Sequence, residues 1–117
     1  MSQQILPFRK RVSLEKRKEE YERIRKTRPS HVPVVAERGT DQTPLLDKEK
    51  YLVPYGLTAG QFAYVLRRRL KMNPSEGLFL LCEGRALTGN TILSSIKPSN
   101  DDGFMYVVYT IENAFGW

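Results

Sequence analysis

The hydrophobic positions of this chain follow a helical period in two stretches and form short unbroken runs, typical of strands, in four others. The first helical stretch places Tyr21 and Ile24 on a narrow apolar stripe beside a heavily charged face. Ser13 is a suitable N-cap, and a proline two residues after Thr27 ends the pattern. A shorter helix is expected before it, over residues 3–10, and ends at the proline within it or at the basic cluster that follows. The pattern therefore predicts two N-terminal helices.

The second helical stretch spans residues 57–70 and is the clearest helix in the sequence. Thr58 and Gln61 have the spacing of a capping box, and Leu57 and Phe62 have that of a hydrophobic staple. The apolar residues of this helix share one face, which is expected to cover a sheet. They are Phe62, Val65, Leu66 and Leu70.

Four runs rich in β-branched and aromatic residues predict strands. They span residues 31–37, 50–53, 78–82 and 104–109. The first two are expected to form an antiparallel pair that is weakened at Pro33, which lacks an amide donor. The last run is continuously apolar, as in a strand at the centre of a sheet. Residues 83–86 read as a tight turn, and residues 92–96 as a short helical turn.

The order of these elements from residue 29 onward is strand, strand, helix, strand, strand. This order predicts an α+β chain with a β-grasp fold, in which one helix packs across a mixed sheet. We therefore divide the chain into a basic helical extension, residues 1–28, and a β-grasp domain with a C-terminal tail, residues 29–117.

The charge of the chain is concentrated at its N-terminus. Residues 1–28 contain ten Lys and Arg against four Glu, which gives +6 and accounts for the whole net charge. Such a basic end favours an anionic partner: a membrane surface, an acidic peptide, tubulin or nucleic acid. The alternative is a solvated helix face. Nucleic acid is disfavoured because Phe8 and Tyr21 are the only aromatic residues there and form no stacking platform.

The composition argues against an enzyme, a secreted protein and a membrane-spanning protein. The chain has one histidine, His31, no metal-ligand spacing, no glycine-rich phosphate loop and no nucleophile–base pair, so we expect no catalytic activity, metal or cofactor. The single Cys82 excludes an internal disulfide and indicates a reducing compartment. No apolar stretch approaches the ~20 residues of a spanning helix.

The C-terminus carries the most distinctive short motif of the chain. Phe115-Gly116-Trp117 follows the last predicted strand closely. Removal of Trp117 would leave an unhindered glycine carboxylate, around which the active site of another protein can close. The alternative is a frayed tail with an incidental glycine.

Several segments, in this order and spacing, resemble the ubiquitin-like modifiers of autophagy, the family of the GABA-receptor-associated proteins and the microtubule-associated protein light chains. The resemblance covers about residues 8–117. The segments are Glu15-Lys16-Arg17, Ile24-Arg25, Arg28-Pro29, Val32-Pro33-Val34, Leu46-Asp47-Lys48, Lys50-Tyr51-Leu52-Val53-Pro54, Leu57-Thr58, Gly60-Gln61-Phe62, Arg67-Arg68-Arg69 and Phe115-Gly116.

The resemblance implies the following chemistry. A cysteine protease cuts the bond between Gly116 and Trp117, and activating and conjugating enzymes join Gly116 to phosphatidylethanolamine. The chain is then the conjugated tag of autophagosome formation, cytoplasmic until its lipid carries it to the autophagosome membrane. The alternative is an unconjugated docking module for peptides or tubulin, which would have no need of Gly116.

The resemblance also implies a docking edge at residues 50–53 for receptors that carry an aromatic-x-x-aliphatic motif. The pocket for the aromatic residue would consist of Glu20, Ile24, Pro33, Lys50, Leu52 and Phe104. The pocket for the aliphatic residue would consist of Tyr51, Val53, Pro54, Leu57, Phe62, Val65 and Leu66. Acidic residues of the peptide would meet Lys48, His31 and Arg69.

The chain departs from the family pattern beside these pockets. His31 replaces an arginine of many relatives, which removes that cationic contact or makes it pH-dependent. Tyr21 replaces a glycine of some relatives and is expected to narrow the aromatic pocket. Tyr55-Gly56 replaces a more polar pair beside the second pocket.

Overall fold

The computed structural model describes residues 6–99 and 101–113 of the chain. Within these residues, three α-helices and one 3-10 turn lie outside the sheet. They are α1 Phe8–Arg11, α2 Leu14–Thr27, α3 Ala59–Leu70 and the 3-10 turn Leu93–Ser95. No helix in the described part of the chain has both the length and the apolar character needed to cross a lipid bilayer.

The described residues include five strands, which form one mixed sheet in the order β2-β1-β5-β3-β4. Their bounds are β1 His31–Arg38, β2 Lys50–Pro54, β3 Glu76–Cys82, β4 Arg85–Ala86 and β5 Met105–Asn113. β1 and β2 are antiparallel, as predicted, and β1 and β5 are parallel. The last strand lies at the centre of the sheet, which explains its continuous apolar run. The predicted α+β β-grasp fold is confirmed.

The α3 helix forms where its capping signal predicts. The Thr58 side chain accepts a hydrogen bond from the Gln61 backbone, and the Gln61 side chain accepts one from the Thr58 backbone. Phe62 and Leu66, one turn apart, are fully buried against the sheet, with Phe62 1% and Leu66 0% exposed. Val65 is 39% exposed, so the prediction that it covers the sheet is wrong. The buried stripe runs through Phe62, Ala63 and Leu66, and Val65 lies on its flank, facing solvent.

The N-terminal helices differ partly from the prediction. The first helix begins after Pro7 instead of ending there. Proline is tolerated at a helix start because the amide hydrogen that it lacks would have no partner within the helix. The first residues of the predicted helix, 3–5, lie outside the described residues. The second helix has the predicted bounds, and Ser13 accepts a hydrogen bond from the Lys16 backbone at 3.3 Å.

Both faces of the sheet are covered. Successive residues of a strand point to opposite faces, so Val34 joins the core under α3 while Val35 joins a second cluster under α1 and α2. The second cluster centres on Phe8 and Phe104, whose ring centroids are 5.5 Å apart in an edge-to-face arrangement. The N-terminal helices are therefore packed on the sheet through aromatic contacts.

A short hairpin occupies the segment that the sequence suggested was only a turn. Glu83 and Gly84 have φ angles of 51° and 78°, which are typical of a two-residue turn between antiparallel strands. The two residues that follow the turn, Arg85 and Ala86, pair with β3 and form β4. This strand was not predicted because two residues carry no period.

Candidate functional site

The β2 strand is an open edge of the sheet. It pairs with β1 on one side only, and the sheet order leaves its other side without a strand partner within the described residues. The side chains of Lys50 and Leu52 lie on the face of the sheet that α2 covers, whereas those of Tyr51 and Val53 are buried under α3. Because the outer backbone groups of an edge strand can pair with another chain, β2 is suited to accept an extended peptide.

The six residues predicted for the aromatic pocket line one cavity of about 340 Å³, which we call the edge cavity. α2 supplies Glu20 and Ile24, and Phe104 precedes β5 and is 1% exposed. Leu52 is 42% exposed beside it. The complete lining is Glu20, Ile24, Pro33, Lys48, Lys50, Tyr51, Leu52 and Phe104. This geometry provides an apolar recess of a size that can admit a flat aromatic side chain.

The rim of the edge cavity is charged. The Lys50 ammonium lies 2.7 Å from the Glu20 carboxylate and so connects β2 to α2. The same ammonium is 5.3 Å from the centre of the Phe8 ring, and the Lys48 ammonium is 5.2 Å from that of Tyr51. Burial raises the pKa of Tyr51 to about 12, so its hydroxyl stays neutral and donates to the Lys48 carbonyl at 2.7 Å.

The residues predicted for the aliphatic pocket divide into two groups. Four of them are part of the buried core: Tyr51, Val53, Phe62 and Leu66. The other three lie nearer the surface: Pro54 and Val65 are exposed and Leu57 is half-buried. Any contact with a peptide at this position therefore falls mainly on Pro54, Leu57 and Val65, and the assignment stays a prediction.

The predicted charge contacts are in three different environments. Lys48 is exposed at the rim of the edge cavity. Arg69 is held by both carboxylate oxygens of Asp47, at 3.0 and 3.1 Å, and this hydrogen bond raises the pKa of Arg69. His31 lies at the opposite end of the edge, as the partner of Pro54, and lines another cavity.

Tyr21 also lies outside the edge cavity. Its ring makes an edge-to-face contact with Phe104, with centroids 6.0 Å apart, and covers Gly103, which has a φ of 90°. A side chain at Gly103 would approach the Tyr21 ring to 2.7 Å. Tyr21 lines the same cavity as His31, so the expectation that it forms part of a narrowed aromatic pocket is not supported by its position.

Sequence reasoning missed a buried ion pair that holds the N-terminal helices in place. Arg17 is 6% exposed, and its Nε donates to Asp102 Oδ2 at 2.8 Å. Its Nη1 donates to the backbone carbonyls of Val12 at 2.7 Å and Arg9 at 3.1 Å. Because Arg17 falls between Leu14 and Tyr21 on the apolar stripe of α2, its position was the signal for a buried cation that needs a partner.

The Asp102 carboxylate accepts hydrogen bonds from three groups. Besides Arg17, its carboxylate accepts hydrogen bonds from the Phe104 backbone at 2.9 Å and from the Tyr106 hydroxyl. Burial and the bond to Asp102 raise the pKa of Tyr106. The network joins α1 and α2 to the start of β5 and thereby positions Phe104 in the edge cavity.

The predicted conjugation site lies outside the described residues. β5 extends to Asn113, four residues further than the predicted end of this strand. Gly116 and Trp117 follow it, so their assignment continues to rest on the sequence.

Comparison with known proteins identifies the family. The sequence model described as "Autophagy protein Atg8 ubiquitin like" matches residues 16–116. Autophagy-related protein 8 of Mycosarcoma maydis is 43% identical, with 93% of this chain and 95% of that protein covered, and autophagy-related protein 8d of Arabidopsis thaliana is 40% identical, with 96% of each covered. The crystal structure of Trypanosoma brucei ATG8 superimposes with a TM-score of 0.85 at 28% identity, covering 97% of this chain and all of the other. The chain therefore belongs to the Atg8 family of ubiquitin-like autophagy proteins.

Proposed function

We propose that this chain is a ubiquitin-like modifier that is joined to phosphatidylethanolamine through Gly116 after removal of Trp117. Membership of the Atg8 family supports this role, and the observation that carries it is that the family match extends to Gly116 and stops one residue before Trp117. A cysteine protease would expose the glycine carboxylate, and activating and conjugating enzymes would transfer it to the lipid amine. The chain itself would be the tag and would catalyse none of these steps.

Conjugation would change where the chain resides. The chain would be cytoplasmic before conjugation and held on the autophagosome membrane afterwards. Phosphatidylethanolamine supplies two acyl chains, the number that stable anchoring requires, whereas a single chain binds only reversibly. The basic α1 and α2 helices, and tubulin as their partner, remain part of the alternative in which the chain docks without conjugation.

Density-gradient flotation of extracts from starved cells tests the conjugation step. We expect part of the chain to float with vesicles and to be released by phospholipase D, which cleaves the lipid between its phosphate and its ethanolamine. An untreated aliquot on the same gradient is the control. A chain that never floats, or that floats and resists the phospholipase, would favour the unconjugated docking module.

We further propose that the β2 edge and the edge cavity bind the aromatic-x-x-aliphatic motifs of receptors. The peptide would add a strand to β2, and its aromatic side chain would enter the edge cavity beside Leu52. The aliphatic side chain would lie against Leu57 and Val65. Lys48 would attract acidic residues on the amino-terminal flank of the motif, which increases the association rate more than the affinity.

The double substitution Lys50→Ala, Leu52→Ala tests this surface. We expect the affinity for an acidic Trp-x-x-Leu peptide, measured by fluorescence titration, to fall about 30-fold or more, because the apolar wall and a cation of the cavity are both lost. The matched control is Lys97→Ala, Leu45→Ala, an exposed Lys and Leu that do not line the edge cavity. Equal affinities of the wild-type chain and the Lys50, Leu52 variant would refute the assigned surface.

A further inference from the structure

A cavity of about 350 Å³ lies where β1 begins and β2 ends, and we call it the end cavity. The final turn of α2 and the residue after it supply Arg25 and Arg28, and β1 supplies His31. Tyr21 and Tyr55 contribute aromatic walls. Among the described residues that line it, none is Asp or Glu.

The end cavity differs in charge from the edge cavity and from the cavity beside α1. The edge cavity contains Glu20, which is paired with Lys50. The cavity beside α1 contains Glu37 and Glu49, and Glu49 is paired with Arg11. One carboxylate faces two lysines in the edge cavity, and carboxylates outnumber cations in the cavity beside α1. The described lining of the end cavity instead carries two arginines and no carboxylate.

Local groups offset this charge only in part. Arg25 lies 3.6 Å from the exposed carboxylate of Glu22, a distance and setting in which an ion pair is weak. Arg28 makes no ion pair with any residue in the described ranges. The negative end of the α2 dipole is nearby, but it amounts to about half a unit charge. Two guanidinium groups therefore leave a net positive site.

We propose that the end cavity binds a phosphorylated side chain of the receptor peptide, at a position that follows the aliphatic residue of the motif. This inference rests on the docking mode proposed above. The aromatic residue lies near Lys50 at the start of β2 and the aliphatic residue near Leu57 beyond its end, so the peptide runs parallel to β2. Past Pro54 its chain reaches Tyr55, a wall of the end cavity.

The distance and the chemistry both suit such a contact. A strand advances about 3.3 Å per residue, which brings the first few residues after the aliphatic position within reach of the cavity. Two arginines can bind a phosphate group through paired hydrogen bonds. They bind a carboxylate less well, because it has fewer oxygens and only one negative charge. The cavity would thus select receptors that have been phosphorylated after the motif.

A series of Trp-x-x-Leu peptides tests the proposal, with serine or phosphoserine at each of the four positions after the leucine. We expect phosphoserine to raise the affinity of the wild-type chain about ten-fold at one or two neighbouring positions. The gain should shrink to about two-fold in the variant Arg25→Gln, Arg28→Gln. The control variant Arg23→Gln, Lys26→Gln removes the same charge from the outer face of α2 and should keep the full gain.

The outcomes separate the two proposals. If no phosphoserine position gains affinity, or if both double variants lose the gain equally, the end cavity is not a phosphate site although docking along β2 stands. If the serine peptides themselves do not bind the wild-type chain, the docking mode fails and this inference fails with it. Binding of the serine peptides to all three proteins also shows that the variants are folded.

Discussion

The substitution Gly116→Ala is expected to abolish both the removal of Trp117 and the attachment of lipid, while the fold survives. The glycine would have to thread through the narrow channels of a protease and of the conjugating enzymes, where even a methyl group meets the channel wall. A loss of at least about 100-fold in the rate of cleavage is expected, since a misplacement of the reacting bond by ~1 Å costs that much. The measurement is the fraction of chain cleaved and the fraction that floats with membranes.

Two controls show that the effect belongs to this position. Gly89→Ala makes the same change where no atom lies within 4 Å of the added carbon, and it should be processed normally. A chain that ends at Gly116 should bypass the protease and still be conjugated, whereas the same truncated chain with Gly116→Ala should not. Full movement of a Gly116→Ala chain to membranes would refute the assignment.

The substitution Asp102→Asn is expected to destabilise the chain by about 3 kcal/mol, because it removes the buried carboxylate nearest to Arg17 and leaves that guanidinium only the half-exposed Asp101, 3.5 Å away. The carboxylate is also the acceptor of Tyr106, so a second hydrogen bond is weakened. Arg17→Met should destabilise the chain by about as much, since it leaves the buried Asp102 carboxylate without its cation. The free energy of unfolding is obtained from urea denaturation followed by circular dichroism.

The double variant Arg17→Met, Asp102→Asn distinguishes a buried ion pair from general damage to packing. With both charges removed, we expect it to be more stable than either single variant. The control Glu22→Gln breaks an exposed pair with Arg25 and should change the stability by less than about 1 kcal/mol. If Asp102→Asn had an effect as small as that of the control, the pair would not hold the N-terminal helices.

The elements that the sequence predicted are those with a long period or a specific local signal. The Thr58–Gln61 capping box fixed the start of α3, and Ser13 fixed that of α2. The apolar run over residues 104–109 predicted the central strand. β4 escaped prediction because two residues show no pattern, and its pairing depends on the turn at Gly84.

The candidate site was predictable where it follows from one strand and unpredictable where it depends on distant contacts. An edge at Lys50–Pro54 follows from the order of the strands. The pairing of Arg69 with Asp47, 22 residues away, and that of Arg17 with Asp102, 85 residues away, depend on the folded chain. The end cavity combines α2, β1 and the segment after the 3-10 turn, so no local pattern announces it.

The intact mass of the chain recovered from membranes of starved cells tests the modifier role most directly. A modifier should have lost the mass of Trp117 and gained that of one phosphatidylethanolamine less one water, with the lipid on the C-terminal glycine in the fragment spectrum. Membrane-bound chain that retains Trp117 and carries no lipid would contradict the role.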